Sequence, residues 1–338
     1  MIRLKDIAAR AGVSVMTVSK VLRDAPDISE ATKARVKLIA RQMGYVPDSN
    51  AQSLRTRTSK FLGVIISSIT NPIFARVLLA IEERAHELGY EIILAQTLNR
   101  EEREELCIRR LLSRRVDGLF ISPVYRLRPD APVYQVLQSR GVPVVILGHS
   151  APFCRQFASV ETDDVLAGYS VTKHLLGLGH KKIAFFAGPQ SAPWSQERFE
   201  GYRRALREVD LPVQDELVFE AGNTLEDGEK AALQFMNEST QATAIQAAND
   251  LIAIGCANTF LGQGIKIPGD LSVTGFGNIL TSEYFRVPLT TIRQPKYRLG
   301  IAAVESMLKL LRGERPESKR LAAELIIRES TGGPPATV

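Results

Sequence analysis

The feature that most constrains the fold is an alternation, from residue 61 onward, of short apolar runs with segments of helical periodicity. Nearly continuous apolar runs separated by helices of about 15 residues are typical of strands in a parallel sheet covered on both faces. The runs fall into two series, which predicts an α/β body of two parallel-sheet subdomains with a cleft between them. The predicted strands are FLGVIIS 61–67, YEIILAQ 90–96, GLFISPV 118–124 and VPVVILG 142–148 in the first series, and KKIAFFAG 181–188, ELVFEA 216–221, ATAIQAA 242–248 and LSVTGF 271–276 in the second.

Nearly all of the positive charge lies in the first sixty residues. They contain 12 Lys and Arg against 5 Asp and Glu, a net charge of +7, whereas residues 61–338 have a net charge of −1. A basic segment joined to a neutral body predicts one module that meets a polyanion and another that does not. A solvated basic face is the alternative, so the geometry of the segment decides between them.

The basic segment has the pattern of a three-helix, all-α helix-turn-helix module. Apolar residues at i, i+3, i+4 and i+7 predict a first helix that ends at Gly12. Ser14 can cap a second helix over Val15–Arg23, and a third helix is predicted from the cap Ser29 to Gly44. Two short helices joined by a glycine-containing turn match a helix-turn-helix.

The second helix of this module supplies candidate contacts to DNA. In a helix-turn-helix, the early residues of this helix meet base edges in the major groove. Lys20 can donate to a guanine, and Val15 or Met16 can contact a thymine methyl group, although Val15 could instead pack within the turn. Hydroxyl side chains suit phosphate oxygens, which position the helix. The candidates are Ser14, Val15, Met16, Thr17, Ser19 and Lys20.

Residues 48–60, DSNAQSLRTRTSK, are polar apart from one leucine and are predicted to link the two modules. One helical turn at Asn50–Arg55 could form against DNA, with Leu54 wedged between base steps in the minor groove. An ordinary tether is the alternative. The candidate DNA contacts of this segment are Ala51, Leu54 and Arg55.

The body lacks the signatures of catalysis. No G-x-G-x-x-G, phosphate-binding loop, G-x-S-x-G elbow or H-E-x-x-H occurs, and the four histidines show no metal spacing. We therefore expect no enzyme activity, cofactor or metal, and we expect His180 to cap a helix or to lie in solvent. Three scattered cysteines and a charged start without a signal peptide predict a reduced, cytoplasmic protein.

Groups suited to a small polar ligand follow several predicted strands. Ligands of open α/β sheets bind beyond the carboxyl ends of the strands. An aromatic plate with arginine and amide donors is a common way to hold a sugar or a nucleobase. The candidates from this argument are Asn71, Phe74, Trp194, Arg198, Asn249 and Gln294.

The run LKDIAARAGVSVMTVSKVLRDAPDISEATKARVKLIARQMGYVPDSNAQSLR closely resembles the DNA-binding headpiece of the lactose/galactose repressor (LacI/GalR) family. Motifs of the body, including GVI, NPIF, RRVDGL, HLLGLGHKKIAFFAGP, ANDLIAIG, GIKIPGDLSVTGF and PLTTIRQP, extend the resemblance over essentially the whole chain. The resemblance implies a helix-turn-helix headpiece over 1–47, a hinge helix over 48–60 with Leu54 in the minor groove, and a periplasmic-binding-protein-like body over 61–338 with crossovers near 160 and 290.

The resemblance also implies the partners and the ligand contacts. A family member of this kind is a transcriptional regulator, expected as a repressor, whose affinity for double-stranded, pseudo-palindromic operator DNA is switched by a small-molecule effector, here a carbohydrate or a derivative of one. The absence of leucine heptads at the end of the chain predicts a homodimer. The implied effector contacts are Phe74, Asp163, Arg198, Thr224, Asn249 and Gln294.

Three positions depart from the family pattern: Asp48, Gln52 and Gly277. The first two alter the hinge segment. At the third, the family often has an aspartate that accepts from sugar hydroxyls, so the departure favours an anionic effector such as a sugar acid or a sugar phosphate.

Two other functions compete with regulation. A sugar-binding protein of a transport system would leave the helix-turn-helix unexplained, and an α/β sugar enzyme lacks its phosphate loop.

Overall fold

A computed structural model describes residues 2–45, 58–238 and 240–335, and the chain divides into two units, residues 1–59 and 60–338. In the first unit, three helices pack their apolar faces together: α1 (Leu4–Ala11), α2 (Val15–Val21) and α3 (Glu30–Gln42). Their shared core confirms the predicted helical periodicity. The buried members are Ile7, Ala8, Ala11, Val18, Val21, Val36 and Ala40.

The predicted ends of these helices are confirmed, with one exception. Gly12 closes α1 at a left-handed φ of +63°, and Ser14 accepts a hydrogen bond from the Thr17 amide, 3.0 Å away, at the start of α2. Helix α2 ends at Val21 rather than at Arg23. The chain leaves the helix there because Asp24 takes a left-handed φ of +55°.

The first half of the body forms the N-subdomain, a parallel sheet covered by helices. Its elements alternate along the chain as the apolar runs predict. They are β1 (Phe61–Ile66), α4 (Ile73–Glu87), β2 (Glu91–Gln96), α5 (Glu101–Ser113), β3 (Gly118–Ile121), α6 (Pro132–Ser139), β4 (Val144–Leu147) and β5 (Ala158–Thr162).

The second half forms the C-subdomain in the same way. Its elements are α7 (Asp164–Gly177), β6 (Ile183–Ala187), α8 (Pro193–Arg207), β7 (Val218–Glu220), α9 (Leu225–Asn237), β8 (Ala244–Ala247), α10 (Asp250–Gly262), β9 (Ser272–Gly277), α11 (Leu280–Tyr284) and β10 (Thr290–Arg293).

The last part of the chain returns to both sheets. Helix α12 (Lys296–Leu311) packs on α4 of the N-subdomain, β11 (Lys319–Leu321) joins the N-subdomain sheet beside β5, and β12 (Glu324–Ile326) pairs antiparallel with β10. Within the described residues, each sheet has six strands, in the orders β11-β5-β4-β3-β1-β2 and β12-β10-β9-β8-β6-β7. The chain therefore crosses between the subdomains three times, after β5, after β10 and after β11.

All eight predicted strands are present, and the part of the chain that the structure describes contains four more that were not predicted. The unpredicted strands β5, β10, β11 and β12 lie at or next to the far edge of their sheets. The strands β11 and β12 have only three residues each, which is too short for a hydrophobic pattern to stand out. The strands β5 (ASVET) and β10 (TTIR) are rich in polar residues, which hides the apolar run that marks a buried strand.

Helices α7 and α8 approach each other through two glycines. A Cβ atom placed on Gly168 would lie 2.5 Å from the Arg198 carbonyl oxygen, and one on Gly201 would lie 2.3 Å from the Val165 carbonyl oxygen. No side chain fits at either position without separating the helices. This contact fixes the position of α8, which carries Arg198, against the first crossover of the chain.

His180 corrects a prediction. It neither caps a helix nor lies in solvent but is buried, with Nδ1 2.8 Å from the Thr243 hydroxyl oxygen and Nε2 2.8 Å from the Gly332 carbonyl oxygen. The ring thus ties the region near the end of the chain to the C-subdomain, and burial lowers its pKa. Among the described residues, no helix is long and apolar enough to cross a membrane.

Candidate functional site

The first candidate site is the exposed face of α2. Val15 and Met16 are 46% and 65% exposed, values that are high for large apolar side chains, while Ser19 and Lys20 are half-buried beside them. Val15 does not fill the core of the turn, so its surface is available to a partner. An apolar pair next to hydroxyl and ammonium groups offers the surface needed to contact thymine methyls and base edges.

Ser14, Thr17 and Lys20, all predicted to contact DNA, already have hydrogen-bond or ionic partners within the first unit. The Ser14 and Thr17 hydroxyl oxygens lie 2.9 Å apart, and Lys20 forms an ion pair with Asp27. The hydrogen bond from Lys20 lowers the pKa of Asp27. Lys20 must therefore break its ion pair with Asp27 before its ammonium group can donate to a base edge of DNA. The predicted contacts of the linking segment, Ala51, Leu54 and Arg55, lie outside the described residues.

The second candidate site is a cavity of about 190 Å³ between the two subdomains of the body. Its walls come from loops and helix starts at the carboxyl ends of the strands of both sheets, where parallel-sheet proteins bind ligands. Six of the eight predicted effector contacts line it. They are Asn71 and Phe74 from the N-subdomain, Trp194, Arg198 and Asn249 from the C-subdomain, and Gln294 at the second crossover.

Arg198 is the most constrained group in this cavity. Its guanidinium carbon lies 3.6 Å from the centre of the Phe276 ring and 4.6 Å from that of Trp194. Nε and Nη2 lie 3.0 and 2.9 Å from Asp164 Oδ2, and Nη1 donates to the Ala248 carbonyl oxygen at 2.6 Å. Rings and acceptors on several sides hold the guanidinium in one orientation, which leaves its remaining N–H groups for a ligand.

Amide side chains form further parts of the wall. Asn249 caps α10 by accepting from the Ile252 amide at 2.8 Å, and it donates to Asn223 Oδ1 at 2.7 Å. Gln294 donates to the Thr162 hydroxyl oxygen at 3.0 Å, a contact between the first and second crossovers. Hydrogen bonds within the protein orient both amides, and groups held in this way lose less entropy when they bind a ligand.

Asp163 and Thr224 lie at helix starts rather than on the cavity wall. Asp163 caps α7 by accepting from the Leu166 amide, and Thr224 caps α9 in a reciprocal pair with Asp227. Their chain neighbours line the cavity instead: Asp164 follows Asp163, and Asn223 precedes Thr224.

Several polar residues of the cavity are not predicted from the sequence. No motif marks them, because each reaches the site through a contact between distant segments. Asp164 belongs to an acidic pair at a predicted helix start, which helix capping alone would explain. The missed residues are Ser67, Asn99, Ser122, Tyr125, His149, Glu161, Thr162, Asp164 and Asn223.

The backbone around Gly277 explains why no aspartate stands there. Gly277 has a φ of +138°, and a Cβ atom on it would lie 3.4 Å from Asp250 Oδ2. Asp250 is fully buried, accepts from the Ile279 amide at 2.9 Å and from the Thr291 hydroxyl, and burial raises its pKa. A second carboxylate at position 277 would be strained and would repel the first. Asp250 therefore supplies a carboxylate to this part of the cavity wall, next to the position where other family members often have an aspartate.

A three-helix DNA-binding module followed by a two-subdomain body with a ligand-sized cavity between the subdomains defines the class of effector-controlled transcription regulators. A model of the periplasmic binding proteins and sugar binding domain of the LacI family matches residues 59–329, and a model of the bacterial regulatory proteins of the lacI family matches residues 3–48. The chain belongs to the LacI family and is a DNA-binding transcriptional regulator, neither an enzyme nor a transport protein.

Individual relatives agree with this assignment. The chain is 32% identical to the HTH-type transcriptional repressor PurR of Photobacterium profundum, over 98% of each chain. It is similar to the lac repressor dimer bound to operator and the anti-inducer ONPF, with a TM-score of 0.87 and 28% identity over 98% of this chain and 99% of that one. A complex of the transcriptional regulator CelR with cellobiose matches with a TM-score of 0.74 and 28% identity, over 98% of this chain and 100% of that one.

Proposed function

We propose that the chain is a homodimeric repressor of the cytoplasm whose operator affinity is set by an uncharged, polyhydroxylated effector, a sugar or a close derivative. The headpiece, residues 1–47, reads operator DNA through Ser14, Val15, Met16, Thr17, Ser19 and Lys20. The segment 48–60 joins it to the body and adds the contacts of Ala51, Leu54 and Arg55. The body, residues 61–338, binds the effector and dimerises.

The observation that carries the effector class is the charge of the cavity wall. Among the described residues that line the cavity, Arg198 is already paired with Asp164 and His149 with Glu197, and two further carboxylates, Asp250 and Glu161, lie in the same wall. An anionic effector would have to compete with these carboxylates for both cations, which is unfavourable in a buried site. Hydroxyl groups, in contrast, can donate to carboxylates and accept from Arg198 and the amides. The cellobiose bound by the similar CelR supports the same class.

Tryptophan fluorescence reports directly on the cavity, because Trp194 is the one tryptophan of the chain and stacks on Arg198. We would titrate the full chain with matched pairs, each a neutral sugar and its uronic or aldonic acid, and record tryptophan fluorescence and the thermal midpoint. A ligand at about 100 times its Kd should add roughly 2.7 kcal/mol to the free energy of unfolding. The expected result is a response to a neutral member that is absent with its acid.

Asn249→Ala should abolish this response, whereas Asn99→Ala, at the N-subdomain side of the cavity, tests whether the ligand spans both subdomains. A response only to the acids would contradict the proposed effector class. Binding that survives Asn249→Ala would place the effector elsewhere in the chain.

The homodimer is supported by an exposed apolar pair on α11. Leu280 and Tyr284 are 76% and 77% exposed, which is unusual for two large apolar side chains on one short helix. We expect the double substitution of both by serine to shift the chain toward monomers in sedimentation velocity and to weaken operator binding. Leu127→Ser, at an equally exposed leucine in the N-subdomain, serves as the control and should leave the dimer intact.

A further inference from the structure

A cluster of charged side chains connects the two subdomains beside the cavity. Glu197 lies on α8 of the C-subdomain and contacts two groups of the N-subdomain. His149, which follows β4, places Nε2 3.1 Å from Glu197 Oε2, and Arg320 of β11 donates to Glu197 Oε1 at 2.8 Å. Arg320 also donates to Glu161 Oε1 on β5 at 2.7 Å. A change in the angle between the subdomains would stretch the two contacts of Glu197.

The groups that face His149 come from every element packed around it. Glu161 lies on β5, Asp164 at the start of α7 has Oδ2 3.9 Å from Nε2, and Glu197 and Arg198 belong to α8. Arg320 approaches from β11. The Tyr125 hydroxyl donates to the backbone carbonyl of His149 itself, and burial raises its pKa well above the ordinary value, so it stays neutral.

The charges of this cluster balance only when His149 is protonated. Three carboxylates (Glu161, Asp164, Glu197) stand against two guanidinium groups (Arg198, Arg320), so a neutral imidazole leaves one negative charge uncompensated in a largely buried site. Burial by itself lowers the pKa of His149, but the hydrogen bond to Glu197 and the charges of Asp164, Glu197 and Glu161 outweigh it and raise the pKa.

We propose that His149, Glu197 and Arg320 form a proton-controlled clasp that holds the two subdomains in this arrangement. With a proton on His149, Glu197 is bound by two cations of the N-subdomain. Without it, one of these two ionic contacts is lost. Because His149 and Asp164 also line the cavity, the same proton changes the free energy of subdomain closure on which effector binding depends. This last consequence rests on the proposed function, whereas the clasp itself does not.

The sign of the effect follows from the raised pKa. A histidine whose pKa is higher in the folded chain contributes stability that is fully present below the unfolded-state value of about 6.5. This contribution is lost as the pH rises through the folded-state pKa. His174 and His180 have lowered pKa values and act in the opposite sense, so only the difference between variants isolates the clasp.

The test uses the effector-free full chain and four variants from pH 5.5 to 9. Trp194 lies three residues before Glu197 on the same helix, so its quenching by acrylamide reports access to the cleft. The variants are His149→Gln, Glu197→Gln, their combination, and His86→Gln as the control on the exposed side of α4.

We expect the wild-type thermal midpoint to exceed that of Glu197→Gln by roughly 2–4 °C at pH 6, the shift that a loss of about 1 kcal/mol produces in a body of this size. By pH 9 this difference should shrink to what the contact with Arg320 alone contributes, because the guanidinium stays charged, and acrylamide quenching of the wild type should rise over the same interval. The double variant should lose no more than Glu197→Gln alone, and His86→Gln should follow the wild type.

Three results would overturn the clasp. One is a difference between wild type and Glu197→Gln that does not change with pH. Another is additive losses from His149→Gln and Glu197→Gln, which would show that the two side chains act independently. The third is a rise in the midpoint on adding Zn²⁺ that His149→Gln abolishes, because His149, Glu161 and Glu197 would then hold a cation rather than a proton. If His149→Gln does not fold, the pH dependence of the difference between the wild type and Glu197→Gln still tests the clasp.

Discussion

At the scale of single residues, the pair Arg198–Asp164 carries both the shape of the cavity and part of its stability. Both side chains are almost completely buried, and Asp164 Oδ1 has no hydrogen-bond partner among the described residues. Removing one member leaves the other as an uncompensated charge, which costs more than the pair itself contributes. The pair therefore makes the site sensitive to any substitution that changes its charge.

Arg198→Ala should lower the free energy of unfolding by about 3–5 kcal/mol, because it leaves the Asp164 carboxylate buried without its partner. Asp164→Ala should also destabilise the chain, by leaving the guanidinium with only one of its acceptors. Urea unfolding of the two single variants and of the double variant measures the coupling. We expect the double variant to be clearly more stable than the summed losses predict, and simple additivity would show that the pair is not coupled.

Lys20 tests direct reading of sequence by the headpiece. Lys20→Ala should weaken binding to an operator recovered by in vitro selection by about 1–3 kcal/mol, and should weaken binding to random DNA much less. Lys37→Ala is the matched control, since Lys37 also pairs with an aspartate, Asp24, but lies on α3. Equal losses on both DNAs for Lys20→Ala would make it a phosphate contact, visible only as salt-dependent affinity.

At the scale of elements, the close approach of α7 and α8 determines where Arg198 and Glu197 lie. The glycine of the sequence R-x-x-G-Y at 198–202 is Gly201, whose missing side chain allows the backbones to touch. The motif therefore combines a binding group with the packing that positions it three residues away, on the adjacent turn of the same helix.

Gly201→Ala should destabilise the body severely and, where it folds, should displace Arg198 and weaken effector binding. Gly177→Ala is a control of the same chemistry, because Gly177 ends α7 and a Cβ atom on it would meet nothing within 4 Å. There we expect no loss, or a gain of up to about 1 kcal/mol from higher helix propensity. Chemical denaturation of both variants distinguishes the two cases, and equal losses would exclude close packing as the cause.

Element prediction from the sequence succeeded where the pattern is local. Continuous apolar runs identify β1 and β6, and a glycine followed by a serine cap locates the turn between α1 and α2. Arg198 and Asn249 were found because strand ends in a parallel sheet converge. His149 and Glu197 could not be found, since they lie 48 residues apart in sequence and meet only when the two subdomains pack. Short edge strands such as β11 form because a neighbouring strand offers hydrogen bonds, which is a property of the completed sheet.

At the scale of the whole molecule, the two units separate DNA binding from effector binding. Deleting residues 1–60 should abolish operator binding and leave the effector response of Trp194 fluorescence unchanged, because the described residues that line the cavity all lie from Ser67 onward. Gel shift and fluorescence titration of the truncated chain measure the two activities. Operator binding by the truncated chain would contradict the modular organisation.

The third crossover has a consequence for synthesis of the chain on the ribosome. Residues 319–326 supply one edge strand to each sheet, and α12 adds a helix to the subdomain that began more than two hundred residues earlier. The three-helix headpiece can form as soon as it emerges, but neither sheet of the body has all its described strands until residue 326 has been translated. A nascent chain therefore leaves the outer edges of β5 and β10 unpaired until β11 and β12 are made, and we expect chaperones to act on these edges.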